Sequence, residues 1–321
     1  HPQSHDVKKN QIVSWSLENL HKLYYAHLNK DKEYQTFPYL KVSFKSMKTA
    51  KKVSYMCQQY QSKQKQVLNI PNIGPLVLTV NECEATSILQ LSQRQKIPTC
   101  GWCTVSGMFE CDIRETSCDY EYRVSYKNIH SCTNMELQDQ SISPTILSFD
   151  IECNSTIQSA MPKSEDPRDV IFQIGISIAK HNEKNRQMLL SLGEVDPISD
   201  VEILTFTDED KLLMGFNKLV KTIKPQIVTG YNIFSFDLPY MLKRADMYGI
   251  KNEFLKLGYR THKSDEVRQV NWSSKAYSKQ ELEFIDTHGI LMLDALPVIK
   301  RDYKFSNYKL STVASNLIGK T

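Results

Sequence analysis

The spacing of apolar and polar positions defines the clearest elements of this chain. Thr145-Ile146-Leu147-Ser148-Phe149-Asp150-Ile151-Glu152-Cys153 has strand composition, so Asp150 and Glu152 project from one face while Phe149, Ile151 and Cys153 point into a core. The run Val170-Ile171-Phe172-Gln173-Ile174-Gly175-Ile176-Ser177-Ile178 predicts a buried strand beside it. Leu212, Leu213, Phe216, Leu219, Val220 and Ile223 recur at helical spacing, and Pro225 stops that helix. Gln226-Ile227-Val228-Thr229-Gly230-Tyr231 reads as another strand. Residues 238–248 read as a helix entered through Asp237, with Pro239 in a first turn where its missing N–H costs nothing, and Gly249 as the closing cap. This alternation predicts an α/β domain: a mixed sheet flanked by helices, with the acids gathered on adjacent strands and at a helix entrance. The apolar stripe is core rather than a cofactor box.

The polar stretch 134–143, closed by Pro144, reads as a linker. It separates a domain over residues 1–140 from a domain over residues 141–321. In the first, short strands such as Tyr39-Leu40-Lys41-Val42-Ser43-Phe44 and Gly74-Pro75-Leu76-Val77-Leu78-Thr79-Val80 alternate with helical segments, which indicates α+β. Residues 258–288 form a long polar segment with one short apolar patch.

A chain of 321 residues can form two domains and bury a real core. Hydrophobic content of 40% and charged content of 24% are ordinary for a globular protein, and no apolar run approaches the length that spans a bilayer. The start, His-Pro-Gln-Ser-His, lacks an initiator Met and an apolar signal, and reads as truncated or processed. A net charge of +4 is only a mild bias. Lys41, Lys45, Lys48, Lys51 and Lys52 recur on a partly helical stretch and could meet phosphates, although a solvated helix face explains them as well.

Eight cysteines invite a disulfide or zinc reading, above all Cys100-Gly101-Trp102-Cys103 with Cys111 and Cys118. A redox motif would need a helix directly after it, whereas Thr104-Val105-Ser106-Gly107-Met108-Phe109 looks strand-like. Uneven spacing weakens a four-cysteine zinc site. Reduced thiols are the simplest expectation, in nucleus or cytoplasm rather than in a secreted protein.

The sharpest chemistry lies in the carboxylates. Two acids side by side on a sheet repel each other and lose hydration, a cost that divalent cations relieve. The plain alternative is a solvated strand end. Asp237 could cap its helix, or hold a cation with one oxygen while capping with the other.

At this point a resemblance is carried by several blocks together. Asp150-Ile151-Glu152-Cys153, then Gly230-Tyr231-Asn232-Ile233 with Phe236-Asp237-Leu238-Pro239-Tyr240, resembles the first two exonuclease motifs of family B DNA polymerases. Trp272-Ser273-Ser274-Lys275-Ala276-Tyr277, Leu293-Asp294-Ala295-Leu296-Pro297-Val298-Ile299-Lys300-Arg301-Asp302-Tyr303-Lys304 and Tyr308-Lys309-Leu310-Ser311-Thr312-Val313 are similar to delta-like enzymes of large DNA viruses. The resemblance runs collinearly from about Ser141 onward.

It implies a polymerase N-terminal domain followed by a 3'-to-5' proofreading exonuclease of ribonuclease H-like fold, using two Mg2+ or Mn2+ ions. Asp150 would bridge the ions, Glu152 would bind one and orient the attacking water, and Asp237 would hold the other. Asn232 and Phe236 would help hold the unpaired primer end; the ordinary alternatives are that Asn232 closes a turn and that Phe236 fills a core. A β-hairpin within residues 258–288 would contact DNA, with Arg260, His262, Lys263, Arg268, Trp272 and Lys275 as candidates; a surface insertion without that role stays open. Implied partners are primer-template DNA with a single-stranded 3' end, the palm, fingers and thumb of the parent chain, and a processivity factor.

One departure matters. The family's third motif, Tyr-x-x-x-Asp, supplies a fourth carboxylate, and no tyrosine after Asp237 has Asp four residues later. His288 precedes Asp294 by six positions, not the five of a related arrangement. Asp294 is a possible substitute, but ending a strand and holding a neighbouring amide is the favoured role. The chain is therefore expected to be cut before the third motif and to be inactive in isolation. A DNA-binding fragment without catalysis and a stand-alone 3'-to-5' exonuclease are the alternatives.

Overall fold

The computed structural model describes residues 11–21, 35–64, 68–70, 74–76, 80–81, 86–272 and 280–319. Two compact units emerge, His1–Gly107 with Val124–Gln138, and Met108–Arg123 with Asp139–Thr321. The first is α+β. It contains β1 (Ile12–His21) paired antiparallel with β2 (Thr36–Phe44), α1 (Met47–Gln64), the pair β3 (Leu68–Ile70) and β4 (Gly74–Leu76), α2 (Ser87–Gln95) and β5 (Cys103–Val105). Strands β6 (Phe109–Glu110) and β7 (Tyr122–Arg123) pair with each other and belong to the second unit. Back in the first, β8 (Ile129–Ser131) pairs with β5, and α3 (Met135–Gln138) follows.

Local chemistry explains several of these choices. Thr86 accepts the Leu89 amide at the start of α2, supplying a partner for one orphan donor of the first turn. Cys103 leads into β5 rather than a helix, which removes the structural requirement of a redox motif. Lys41 on β2 pairs with Glu18 of β1 at 3.0 Å, so its charge has a protein partner; Lys48, Lys51 and Lys52 lie on α1. Strand β4 covers only the first part of the expected 74–80 strand, and residues 77–79 lie outside those described.

The second unit is built on β9 (Ile146–Cys153), β10 (Ile171–Ala179), β11 (Arg186–Leu192), β12 (Val201–Phe206), α4 (Glu209–Ile223), β13 (Ile227–Gly230), α5 (Asp237–Met247) and α6 (Lys251–Phe254). It continues through β14 (Glu266–Trp272), β15 (Gln280–Asp286), β16 (Leu291–Asp294), α7 (Ala295–Asp302) and α8 (Leu310–Ile318). Six strands form one sheet in the order β12-β11-β10-β9-β13-β16. β10 is antiparallel to both β9 and β11, β12 is parallel to β11, and β9, β13 and β16 run parallel.

Strand alternation sorts the two faces. Leu147, Phe149 and Ile151 of β9 join Ile174 and Ile176 of β10 in a core shared with Leu212 and Phe216 of α4 and Leu238 and Met241 of α5. The Phe149 and Phe216 rings lie 5.0 Å apart. Each such side chain withdrawn from water contributes about 1.5–3 kcal/mol. Asp150 and Glu152 therefore fall on the opposite, open face of β9. This mixed sheet flanked by helices is the ribonuclease H-like arrangement that the chain's motifs implied.

The 258–288 segment does form a hairpin, β14 with β15, but it is more than a polar insertion. Ile285 is fully buried, and Val267 and Phe284 pack against the core. Its base is anchored by the same hydrophobic burial that holds the sheet.

Candidate active site

Asp150 and Asp237 are brought together by the parallel pairing of β9 with β13 and the short loop from β13 into α5. Phe236 is the residue before the first turn of α5 and Asp237 is its first residue, one position later than an N-cap. The Asp237 carboxylate reaches across to β9, accepting the Ile151 amide at 3.1 Å. Its role is thus to join helix to strand, not simply to cap. Asp237 is almost wholly buried, at 1% exposure.

Burial first, and the Asp150 charge second, push the Asp237 pKa up to about 7, against the Ile151 amide, which favours the charged form. Asp150 is raised too, mainly by loss of hydration, with its hydrogen bond to the Asp237 side chain acting the other way. Two touching carboxylates both held above the usual range mark a site short of positive charge. Among the described residues, neither they nor Glu152 form an ion pair with Lys, Arg or His. A hard divalent cation with oxygen ligands fits this donor set.

Glu152 lies two residues along the same face of β9, opposite Gln173 of β10. Among the described residues no three His, Cys, Asp or Glu side chains are grouped closely enough to hold one ion. The structure therefore joins Asp150 to Asp237 and leaves Glu152 beside the pair. The same finding covers the cysteines: Cys100 and Cys103 are exposed in the first unit, while Cys111 and Cys118 are half-buried in the second.

The loop before Asp237 is held from three sides. Asn232 adopts a left-handed backbone, φ 66°, a conformation that asparagine tolerates better than most residues, and its carbonyl accepts the amides of Ser235 and Phe236. Asp294, at the end of β16, accepts Asn232 N–H at 2.8 Å and Phe234 N–H at 3.0 Å, and also caps α7 through Leu296 N–H. The Tyr231 hydroxyl donates to the Tyr308 carbonyl. From the hairpin, Glu283 N–H donates to the Phe234 carbonyl at 2.8 Å, and the Phe234 and Phe284 rings lie 5.2 Å apart. Asp294 is thus a loop clamp that ends β16 and holds neighbouring backbone amides. Phe236 is partly buried, its ring 5.7 Å from that of Tyr240.

The segment between β9 and β10 is locked as well, by residues that sequence reasoning missed. Arg244 of α5, fully buried, pairs with buried Glu209 of α4 and donates to the carbonyls of Ser164, Asp166 and Pro167. Glu209 also accepts the Ile171 amide at 2.8 Å, and Tyr240 donates to the Asp169 carbonyl at 2.6 Å. The one sequence signal is that Arg244 falls within the apolar stripe of Leu238, Met241 and Ala245, where a lone charge requires a partner.

Of the DNA-contact candidates, Arg260, His262, Lys263 and Arg268 are exposed. Arg260 forms an antiparallel bridge with Thr116; Lys263 pairs with Glu266 at 3.3 Å and Arg268 with Asp286 at 2.6 Å. The Trp272 side chain and Lys275 lie outside the described residues.

A ribonuclease H-like sheet whose open-face Asp150 meets the buried Asp237 of α5, with no cation paired to either among the described residues, defines a nuclease-type domain. The family described as DNA polymerase family B, exonuclease domain, matches residues 78–313, and the chain belongs to it. Exonuclease domains of this family are divalent-metal enzymes. Among similar proteins, DNA polymerase 120R of Invertebrate iridescent virus 3 is 35% identical over 317 residues, covering 94% of this chain and 27% of that protein. The putative DNA polymerase 060R of Frog virus 3 (isolate Goorha) is 32% identical over 249 residues, 74% of this chain and 24% of that protein. The DNA polymerase delta catalytic subunit of Plasmodium falciparum (isolate K1 / Thailand) is 32% identical over 203 residues, 62% of this chain and 18% of that protein. The chain spans about a quarter or less of the length of these relatives. No helix among the described residues is long and apolar enough to cross a membrane.

Proposed function

We propose that this chain is the N-terminal and 3'-to-5' exonuclease region of a DNA-directed DNA polymerase, trimming mismatched 3' nucleotides during replication. The observation that carries the reading is the contact of Asp150 on β9 with buried Asp237 at the entrance of α5, in a chain of this family. Asp150 and Asp237, with Glu152 beside them on β9, would hold the divalent cations, two Mg2+ or Mn2+. When bound, such ions lower the pKa of water and neutralise charge on the attacking and departing oxygens at phosphorus.

The chain's own residues do the positioning. Asp237 is fixed to β9 through the Ile151 amide, so its carboxylate faces Asp150. Asp294 holds the loop that presents Asn232 and Phe236 to the unpaired 3' end. Arg268 on the hairpin, and Arg260, His262 and Lys263 in the segment that leads into it, are offered to the DNA backbone, as phosphate recognition requires. Palm, fingers and thumb of the same polypeptide and a processivity factor are its partners, in the nucleus or cytoplasm where the DNA is copied.

The test is directionality, using the polypeptide expressed from its complete reading frame. A 5'-labelled single-stranded oligonucleotide should shorten progressively from its 3' end in Mg2+ or Mn2+, and a nuclease-resistant 3' linkage should stop it. Cleavage from the 5' end or internally would overturn the proposal. The separation of Glu152 from the aspartate pair favours a second reading, a domain that holds DNA without cutting it. Binding of the oligonucleotide without shortening would select that reading.

A further inference from the structure

Gly175 of β10 stands directly opposite Asp150 of β9 in the antiparallel register, so both lie on the open face of the sheet. Ten glycines have described surroundings, and nine have a reason within the protein to be glycine. Six adopt a left-handed backbone. Three others would bring a β-carbon within 3 Å of a neighbour, as Gly230 would with the Phe149 carbonyl at 2.6 Å. Gly175 has neither reason: its backbone is an ordinary strand, and a β-carbon there meets nothing within 4 Å.

Glycine inside a strand loses more backbone entropy on folding than any other residue and forgoes cross-strand packing. It is found where something approaches the backbone closely. Among the described residues, no atom beyond its own chain neighbours is that body. The neighbouring positions on this face are Ser177 and Gln173 of β10, with Ser148 and Glu152 opposite them. The bare backbone at Gly175 therefore leaves a recess beside Asp150, bounded by small and polar groups on the β9 side and by Leu189, the partner of Gly175 in the pairing with β11, on the other.

We infer that Gly175 is a substrate-clearance position, over which the sugar–phosphate backbone of the 3'-terminal nucleotide lies as its phosphate meets Asp150. The inference rests on the nuclease reading above and adds a specificity-determining residue to that site. A side chain at 175 collides with the nucleotide and not with the protein.

The experiment compares wild type, Gly175→Ala, Gly175→Val and Asp150→Ala, each expressed from the complete reading frame. It follows thermal unfolding, the Mn2+-induced rise in Tm, and degradation of single-stranded oligo(dT). Gly175→Val should keep or raise Tm and retain the Mn2+ shift. Its kcat/KM should fall at least tenfold, with Gly175→Ala in between. Wild-type kcat/KM in Gly175→Val would overturn the inference, and so would a lowered Tm, since the glycine would then serve the fold. If Asp150→Ala is inactive while Gly175→Val is fully active, only the clearance role fails. If wild type and Asp150→Ala are equally inactive, the nuclease reading fails and the clearance role with it.

Discussion

The Asp237 carboxylate accepts the backbone amide of Ile151, 86 residues earlier in the chain, and so ties the entrance of α5 to the strand bearing Asp150 and Glu152. That hydrogen bond holds Asp237 beside Asp150 although the two carboxylates repel each other. The repulsion then becomes measurable as a dependence of stability on pH.

With its folded-state pKa raised to about 7 from an ordinary 3.8, Asp237 favours folding most when protonated. Its contribution is fully present below the ordinary carboxylate value and is lost as pH rises through about 7. In chelator, thermal unfolding should therefore show Tm falling between pH 5 and pH 8. Asp237→Asn should flatten that fall and stabilise the protein at pH 8 by on the order of 2 kcal/mol. Mn2+ should restore the wild-type Tm at pH 8 and leave the variant little changed. An equal fall in both proteins would separate the pH effect from Asp237.

Asp294 satisfies three backbone amides at once, those of Asn232, Phe234 and Leu296. Asp294→Ala removes a helix cap and strands buried donors, and should cost roughly 3 kcal/mol in denaturant unfolding. Asp294→Asn retains one accepting oxygen and should recover part of the loss. Nuclease activity should fall with the same ranking, because the loop it clamps leads into Asp237. A fully stable Asp294→Ala protein would remove the clamp.

The Arg244–Glu209 pair is buried on both sides, so removing one partner leaves an uncompensated charge. Arg244→Ala should destabilise the protein by about 3–5 kcal/mol. Arg244→Lys should recover little, since an ammonium cannot reproduce the guanidinium fan that reaches the carbonyls of Ser164, Asp166 and Pro167. Chemical denaturation of the three proteins measures both effects, and full recovery by lysine would contradict the bonding pattern.

The sheet of the second unit was legible because its strands and helices carry strong periodic signals. Phe149 and Ile151 point one way and Asp150 and Glu152 the other, as a period of two requires. Gly249, with φ 70°, ends α5 as its position suggested. The hairpin was harder to read: Ile285, Phe284 and Val267 are too few to produce a periodic pattern, yet they fasten its base to the core. Arg244 carries one hint, its place in an apolar stripe, but Glu209 as its partner was not legible, since a buried ion pair joins two helices whose contact no local rule fixes. The Asp150–Asp237 contact depends on β9 and β13 being neighbours, which the order of the motifs implies and strand periodicity alone does not fix.

The most direct test uses the polypeptide from the complete reading frame on a primer with a mismatched 3' end, in Mn2+, comparing wild type with Asp150→Ala and Asp237→Ala. Each substitution should slow removal of the terminal nucleotide by at least about a hundredfold, as expected when ion-based charge stabilisation is lost. Both variants should keep their DNA affinity. Removal of the terminal nucleotide at the wild-type rate by either variant would contradict a hydrolytic centre built on this aspartate pair.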